Sequence, residues 1–432
     1  MDNFGSRRDI LRGAVSLMAL QALSACGGGG TDTGAPPVTA APTPTPAPPS
    51  TPAPTPPPTA TAIVRSKLQT AASAVTAPVL FGTSAAATLA KNSAASPIAQ
   101  RTFTRQDSPN LRYIGLMGQA GPNFPLDQMT ANRAVNYGFT KNSNQYFVEF
   151  RTDAAVFEVA YHGNGSNSAN RVRIDGKYVT FSSIEAPNDG DIYVTRVTLP
   201  DRQLRTIRLE ATAMNFYGIN LAATDVLQAP PTSDPVRAVI LGDSITEGTS
   251  GVPGVNPFEV YASQSARKLG WEAYYQSGVG STGYLAAPGG KLKLRDRLAT
   301  DVFPFNPEVI VIAAGFNDPI AGIGDEAAAL FNDIQARLPN TQVFVVGPWG
   351  PGGYSGQAPK AAAIQAALSG RPNFFYIDNS TWQTGNGNVN APNGSGNGDQ
   401  YVGPDGVHPT QAGHSYLADR LTAAVTAVVQ AW

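Results

Sequence analysis

Between Arg101 and Pro230, apolar and polar residues alternate in short runs. Examples are Gln145-Tyr-Phe-Val-Glu-Phe150, Ala155-Val-Phe-Glu-Val-Ala-Tyr161, Arg171-Val-Arg-Ile-Asp175, Ile192-Tyr-Val-Thr-Arg-Val-Thr-Leu199 and Thr206-Ile-Arg-Leu-Glu210. A period of two sends successive side chains to opposite faces of a strand. Gly, Asn, Asp and Pro bound the runs, so the pattern predicts an antiparallel β-sandwich of jelly-roll type over 101–230. From Val236 the character changes. Strands are predicted at 236–241, 272–276, 308–313, 342–347 and 373–377, with helices at 257–268, 325–337, 358–368 and 411–429. Continuous apolar strands alternating with helices belong to a parallel sheet covered on both faces. Pro230, Pro231 and Pro235 mark the junction, and 236–432 is read as an α/β domain.

The first hundred residues follow neither pattern. Twelve prolines fall between Pro36 and Pro58, and no Asp, Glu, Lys or Arg occurs from Thr33 to Val64. Such composition predicts an extended spacer rising about 3.1 Å per residue. The linker is drawn over 27–100, largely disordered, with one weakly amphipathic stretch near 64–75. Before it, Ser6-Arg-Arg-Asp-Ile-Leu-Arg12 and the short apolar run 13–23 have the layout of an export signal over 1–26. Arg7 and Arg8 resemble a twin-arginine signal, and Leu23-Ser-Ala-Cys26 resembles a bacterial lipobox, whose cysteine becomes lipidated. The expectation is export to the bacterial cell envelope, in the outer membrane or periplasm, with a lipid anchor through Cys26. Cleavage without lipidation is the alternative. Cys26 is the only cysteine, so no intrachain disulfide can form. A net charge of −1 with scattered Lys and Arg gives no footprint for nucleic acid.

The candidate chemistry lies in the second half. Gly242-Asp-Ser-Ile-Thr-Glu-Gly248, Gly315-Phe-Asn-Asp318 and Asp405-Gly-Val-His-Pro409 occur in that order, far apart in sequence. Ser244 follows a predicted strand and so sits at its carboxyl end, where open α/β sheets collect ligands. A serine hydroxyl becomes a useful nucleophile when a base takes its proton and a third group orients the base. His408 and Asp405 supply both roles. Of the two other histidines, His162 falls in a predicted loop and His414 on the last helix, where packing is the ordinary use. Asp243 reads as a turn residue and Asp318 as a helix cap. One cysteine and two nearby histidines give no ligand set for a metal, and no cofactor is implied.

These blocks resemble the SGNH/GDSL hydrolase family, over roughly 236–430. The resemblance implies a three-layer flavodoxin-like domain with Ser244 as nucleophile, Asp405 and His408 as its partners, and Asn317 donating to the oxyanion. The family's second block is least clear here, in Gln276-Ser-Gly-Val-Gly-Ser-Thr-Gly283. Its oxyanion glycine is placed at Gly280, with Gly283 as the rival. A β-sandwich upstream is also similar to the layout of family 2 carbohydrate esterases. The implied substrate is an ester, in the first instance an acylated carbohydrate; lipid or small-molecule acyl esters are the second reading. A noncatalytic carbohydrate-binding or envelope-assembly protein of the same fold is the third. The Asn/Gly-rich loop 380–403, with Trp382 and Tyr401, and the strand-end Trp349 are open between substrate contact and packing.

Overall fold

The computed structural model describes residues 59–74, 80, 81, 87–92, 98, 100–103, 109–115, 129, 130, 145–163, 168–187, 189, 191–248 and 252–432. The expected signal, Cys26 and the proline cluster lie outside them.

Helix α1 (Ala60–Ser73) comes first, followed by strands β1 (Thr88–Asn92), β2 (Arg101–Phe103), β3 (Arg112–Ile114), β4 (Met129–Thr130), β5 (Gln145–Thr152), β6 (Val156–Gly163), β7 (Ala169–Ile174), β8 (Lys177–Tyr178), β9 (Ile184–Glu185), β10 (Tyr193–Thr198), β11 (Arg205–Thr212), β12 (Met214–Leu221) and β13 (Leu227–Gln228). They form two antiparallel sheets, ordered β1-β10-β6-β12-β2 and β13-β5-β11-β7-β8, with β4, β3 and β9 on side branches. Tyr146, Val148 and Phe150 of β5 meet Phe157 and Val159 of β6 in the core between the sheets. The alternate positions of β5 are buried as well, because they face the α/β domain. Phe147 joins the core on that side and packs edge-on against Tyr274, with ring centroids 5.0 Å apart. The period of two thus serves two cores at once.

The second domain holds β14 (Arg237–Gly242), α2 (Ser244–Glu247), α3 (Tyr261–Lys268), β15 (Ala273–Gly278), β16 (Val309–Ala313), α4 (Ile323–Arg337), β17 (Gln342–Val346), α5 (Ala358–Ala366), β18 (Phe374–Ile377), α6 (Gly398–Tyr401) and α7 (Gln411–Gln430). Its five strands are all parallel, in the order β15-β14-β16-β17-β18. Ala238, Ile240, Val309 and Val311 point into the layer of α3 and α7. Val239, Leu241, Ile310 and Ile312 point into the layer of α4 and α5. This is the flavodoxin-like order, whose switch point lies between β14 and β16.

Several expectations need correction. Two segments of the expected linker carry structure. Strand β1 pairs with β10, and α1 is docked on the α/β domain. Leu68 is its one buried residue, Arg65 lies over Trp432 at 5.0 Å, and Lys67 meets Glu308 at 2.7 Å. An Ala-rich helix held by one leucine and two cations leaves almost no apolar stripe to read. Strand β12 escapes the alternation because its register shifts between Phe216 and Gly218, which breaks the period. His162 lies in β6 opposite Asn215, not in a loop. Helix α3 starts at Tyr261 rather than 257, because Asn256 Oδ1 accepts from Phe258 N at 3.0 Å and holds a turn there. Among the described residues no helix is long and apolar enough to cross a membrane.

Candidate active site

Strand β14 ends at Gly242, where a side chain would collide with Thr246 Oγ1 and Ala313 O. Asp243 then caps α2, its Oδ1 accepting from Ile245 N at 3.0 Å, and Ser244 is the first helical residue. Thr246 Oγ1 lies 2.7 Å from Tyr261 Oη, and Gln276 Nε2 donates to Thr246 O at 2.7 Å. The turn that carries Ser244 is therefore held from both sides. Burial, helped by the Asp318 charge, pushes the Asp243 carboxyl up to about 7 against the hydrogen bond from Ile245 and the charge of Arg297.

The loop before α7 brings the other two residues to this turn. Gly403 N donates to His408 O at 2.7 Å and Thr410 N to Tyr401 O at 2.9 Å, closing 403–408 into a compact loop. Within it Asp405 Oδ1 accepts from Val407 N and His408 N, both at 3.0 Å. Asp405 Oδ2 is 2.6 Å from His408 Nδ1, and His408 Nε2 is 2.8 Å from Ser244 Oγ. Burial pushes the Asp405 carboxyl up, but these hydrogen bonds and the His408 charge outweigh it and hold the group below its ordinary value. An ionised Asp405 fixes the tautomer with the proton on Nδ1 and leaves Nε2 to accept from the serine.

Residues 240–416 match the model of the GDSL-like lipase/acylhydrolase family. The chain carries a GDSL-like lipase/acylhydrolase domain. The whole arrangement, sandwich included, is shared with solved structures of low sequence identity. A family two carbohydrate esterase from Clostridium thermocellum, in complex with cellohexaose, has a TM-score of 0.54 at 17% identity, covering 74% of this chain and 99% of that one. A family two carbohydrate esterase from Cellvibrio japonicus has a TM-score of 0.55 at 15% identity, covering 80% and 99%. The salicylyl-acyltransferase SsfX3 from a tetracycline biosynthetic pathway has a TM-score of 0.56 at 15% identity, covering 76% and 98%. No curated protein matches the sequence.

The residues expected to hold the oxyanion in this GDSL-like domain, Asn317 and Gly280, carry hydrogen bonds of their own. Asn317 follows β16, and its Nδ2 donates to Thr282 O at 3.0 Å, leaving the second amide hydrogen for another acceptor. Gly280 is next to Ser244, since a side chain built there would come within 3.6 Å of Ser244 Cβ. Its N–H, however, donates to Glu247 Oε2 at 2.8 Å, so the amide assigned to the oxyanion already has a carboxylate partner. At the rival position, Gly283, the amide is engaged as well. Its N–H donates to Ala286 O at 2.9 Å, and Asp318 sits where its side chain would be. Asp318 is not a helix cap, because α4 begins at Ile323. Its carboxylate accepts from Tyr284, Leu285 and Ala286 N at 2.9, 2.7 and 2.8 Å, pinning the chain that leaves this turn.

His414 is a structural histidine. Nδ1 accepts from Tyr261 N at 3.2 Å and Nε2 donates to Gly248 O at 2.9 Å, tying α7 to the end of α2. Burial pulls it down to about 4, so it is neutral near pH 7. Trp349 and Trp382 are both buried and pack together at 5.8 Å, while Tyr401 stacks on Tyr416 at 4.4 Å. All three aromatic residues are therefore packing residues. The 380–403 loop is ordered by side-chain to backbone bonds, including Asp399 to Gly394 N at 2.7 Å and Asn397 Nδ2 to Trp382 O at 2.9 Å.

Proposed function

We propose that the protein is an exported serine esterase that works through an acyl-enzyme, with acetylated carbohydrate as its substrate. The observation that carries this reading is the unbroken chain Ser244 Oγ–His408–Asp405, at 2.8 and 2.6 Å, at the carboxyl edge of a parallel sheet. Ser244 attacks the ester carbonyl while His408 Nε2 takes its proton, and Asp405 stabilises the imidazolium that forms. His408 then protonates the leaving alkoxide. Water, deprotonated by the same imidazole, releases the acid and regenerates Ser244. Ser244 N–H and the remaining Asn317 amide hydrogen are the donors for the tetrahedral oxyanion. The carbohydrate assignment draws support from the esterases that share the two-domain arrangement, one of them holding cellohexaose.

The test pairs hydrolysis of nitrophenyl acetate with phosphonate labelling of Ser244, then measures acetate release from a panel of acetylated polysaccharides. Turnover, labelling and acetate release are expected. No labelling would move the reading to a noncatalytic binding protein, and preference for long acyl chains would move it to a lipid esterase. The proposal extends to a lipid anchor at Cys26. Cys26→Ser should shift the protein from the membrane to the soluble fraction, and unchanged partition would remove the anchor.

A further inference from the structure

The turn between β15 and the following loop carries five backbone amides, at residues 279 to 283. Four have partners. Val279 N donates to Gly242 O at 3.1 Å, Gly280 N to Glu247 Oε2 at 2.8 Å, Thr282 N to Val279 O at 3.3 Å and Gly283 N to Ala286 O at 2.9 Å. Ser281 N has none among the described residues. Ser281 is also one of four non-glycine residues at positive φ among the described residues, with φ 63°. A serine held in the left-handed region costs roughly 1 kcal/mol or more and persists where its surroundings over-determine it. Those surroundings are visible. Lys291 Nζ donates to Gly280 O at 2.7 Å, and Glu247, on the nucleophile's own helix, takes the Gly280 N–H. In a trans peptide the carbonyl and the following N–H point in opposite directions. Lys291, by fixing Gly280 O on one side, turns the Ser281 N–H to the other.

The turn lies between the two groups already assigned to the oxyanion. Gly280 approaches Ser244, and Asn317 bonds to Thr282 O. Ser281 lies between these two contact points. We propose that the backbone N–H of Ser281, and not that of Gly280, is the third oxyanion donor, with Lys291 and Glu247 as the positioning residues that aim it. The serine side chain has no part in this role. The inference rests on the serine esterase reading.

The test replaces single amides with esters in the full chain: glyceric acid at 281, which keeps the serine side chain and removes the N–H, and glycolic acid at 280. With nitrophenyl acetate, the ester at 281 should lower kcat about 100-fold with KM nearly unchanged, the usual loss for one oxyanion donor. The ester at 280 should lower kcat less than about tenfold. Lys291→Met should lower kcat at unchanged KM. A 281 ester with normal kcat, in a protein whose Ser244 still reacts with a phosphonate, overturns the inference and leaves the esterase reading standing. Loss of phosphonate labelling in the wild type would instead overturn that reading. A second measurement avoids any folding defect of the ester forms. In wild-type protein with a phosphonyl adduct on Ser244, the Ser281 amide proton should move downfield while the Gly280 amide stays. The reverse pattern would restore Gly280 as donor.

Discussion

The Ser244–His408–Asp405 chain and the charged network between the sandwich and the α/β domain use the same kinds of side chain in opposite surroundings. In the first, the His408 and Asp405 side chains keep 19% and 30% exposure. In the second, the Arg171 side chain has none; it bonds to Glu210 on β11 and, at 2.6 Å, to Glu259 of the α/β domain. Arg208 lies over the Phe147 ring at 3.9 Å and reaches Glu272 Oε2 at 3.0 Å and Glu272 O at 2.9 Å. Burial pushes Glu210 up, yet the charges of Arg171, Arg173 and Arg208 hold it down at about 2. The first group sits at the rim, where solvent and a ligand can reach it. A site that must hold two domains in one arrangement buries its charges and gives each several partners. Changes in the first group should therefore reduce turnover in a folded protein, and changes in the second should unfold an otherwise competent one.

The largest effect on that contrast is expected at Ser244 and His408. Ser244→Ala or His408→Ala should lower kcat at least about 10⁴-fold, and the double variant should be no worse, because the pair acts as a unit. Asp405→Asn should fall between this and the loss of one oxyanion donor. Melting temperature should stay near wild type in all three; a large drop would erase the contrast. Arg171→Met should do the reverse, destabilising by about 3–5 kcal/mol by taking from the buried Glu210 its one hydrogen-bonded cation and leaving it the Tyr178 hydroxyl and the more distant Arg173 and Arg208, while kcat of the folded fraction persists. Denaturant titration checks this, and adding Glu210→Gln should recover part of the loss. Asn317→Ala should lower kcat roughly 10²–10³-fold, measured as kcat against KM.

The smallest and most conditional effect belongs to His414. Its folded value near 4 lies below the ordinary 6.5, so on acidification the unfolded chain takes the proton first. Its contribution is present above pH 6.5 and is lost as pH falls toward 4, a share on the order of 3 kcal/mol. His414→Gln should remove that share of the pH dependence without shifting the pH profile of turnover. A shifted profile would place His414 in the catalytic group and break the comparison.

Much of this was legible in the sequence for identifiable reasons. The β14 and β16 runs are apolar on both faces, so the parallel sheet and the ends carrying Ser244 and Asn317 could be read directly. The Asp405–His408 pair needs a loop of three residues, short enough to be visible in one line of sequence. What stayed hidden depends on contacts between distant segments. Nothing in Gly280-Ser281-Thr282 announces that Glu247 claims the Gly280 amide, or that the serine is the residue at positive φ. Asp318 looks like a cap because caps are usually local, whereas its acceptors serve amides more than thirty residues earlier in the chain. The bulge in β12 hides a strand by breaking the alternation that would reveal it.

Helix α1 has a mechanical consequence. It grips the amino-terminal end of the sheet, through Lys67 to Glu308 and through Arg65 to Gln342 Oε1 at 3.0 Å. Ser244 lies beyond the opposite end of β14, a six-residue strand or about 20 Å away. A pull applied at Thr59 would load these side-chain contacts first and peel the helix turn by turn. The strain would dissipate at the rear of the domain, so α1 would yield like a mechanical fuse before the strands that carry Ser244.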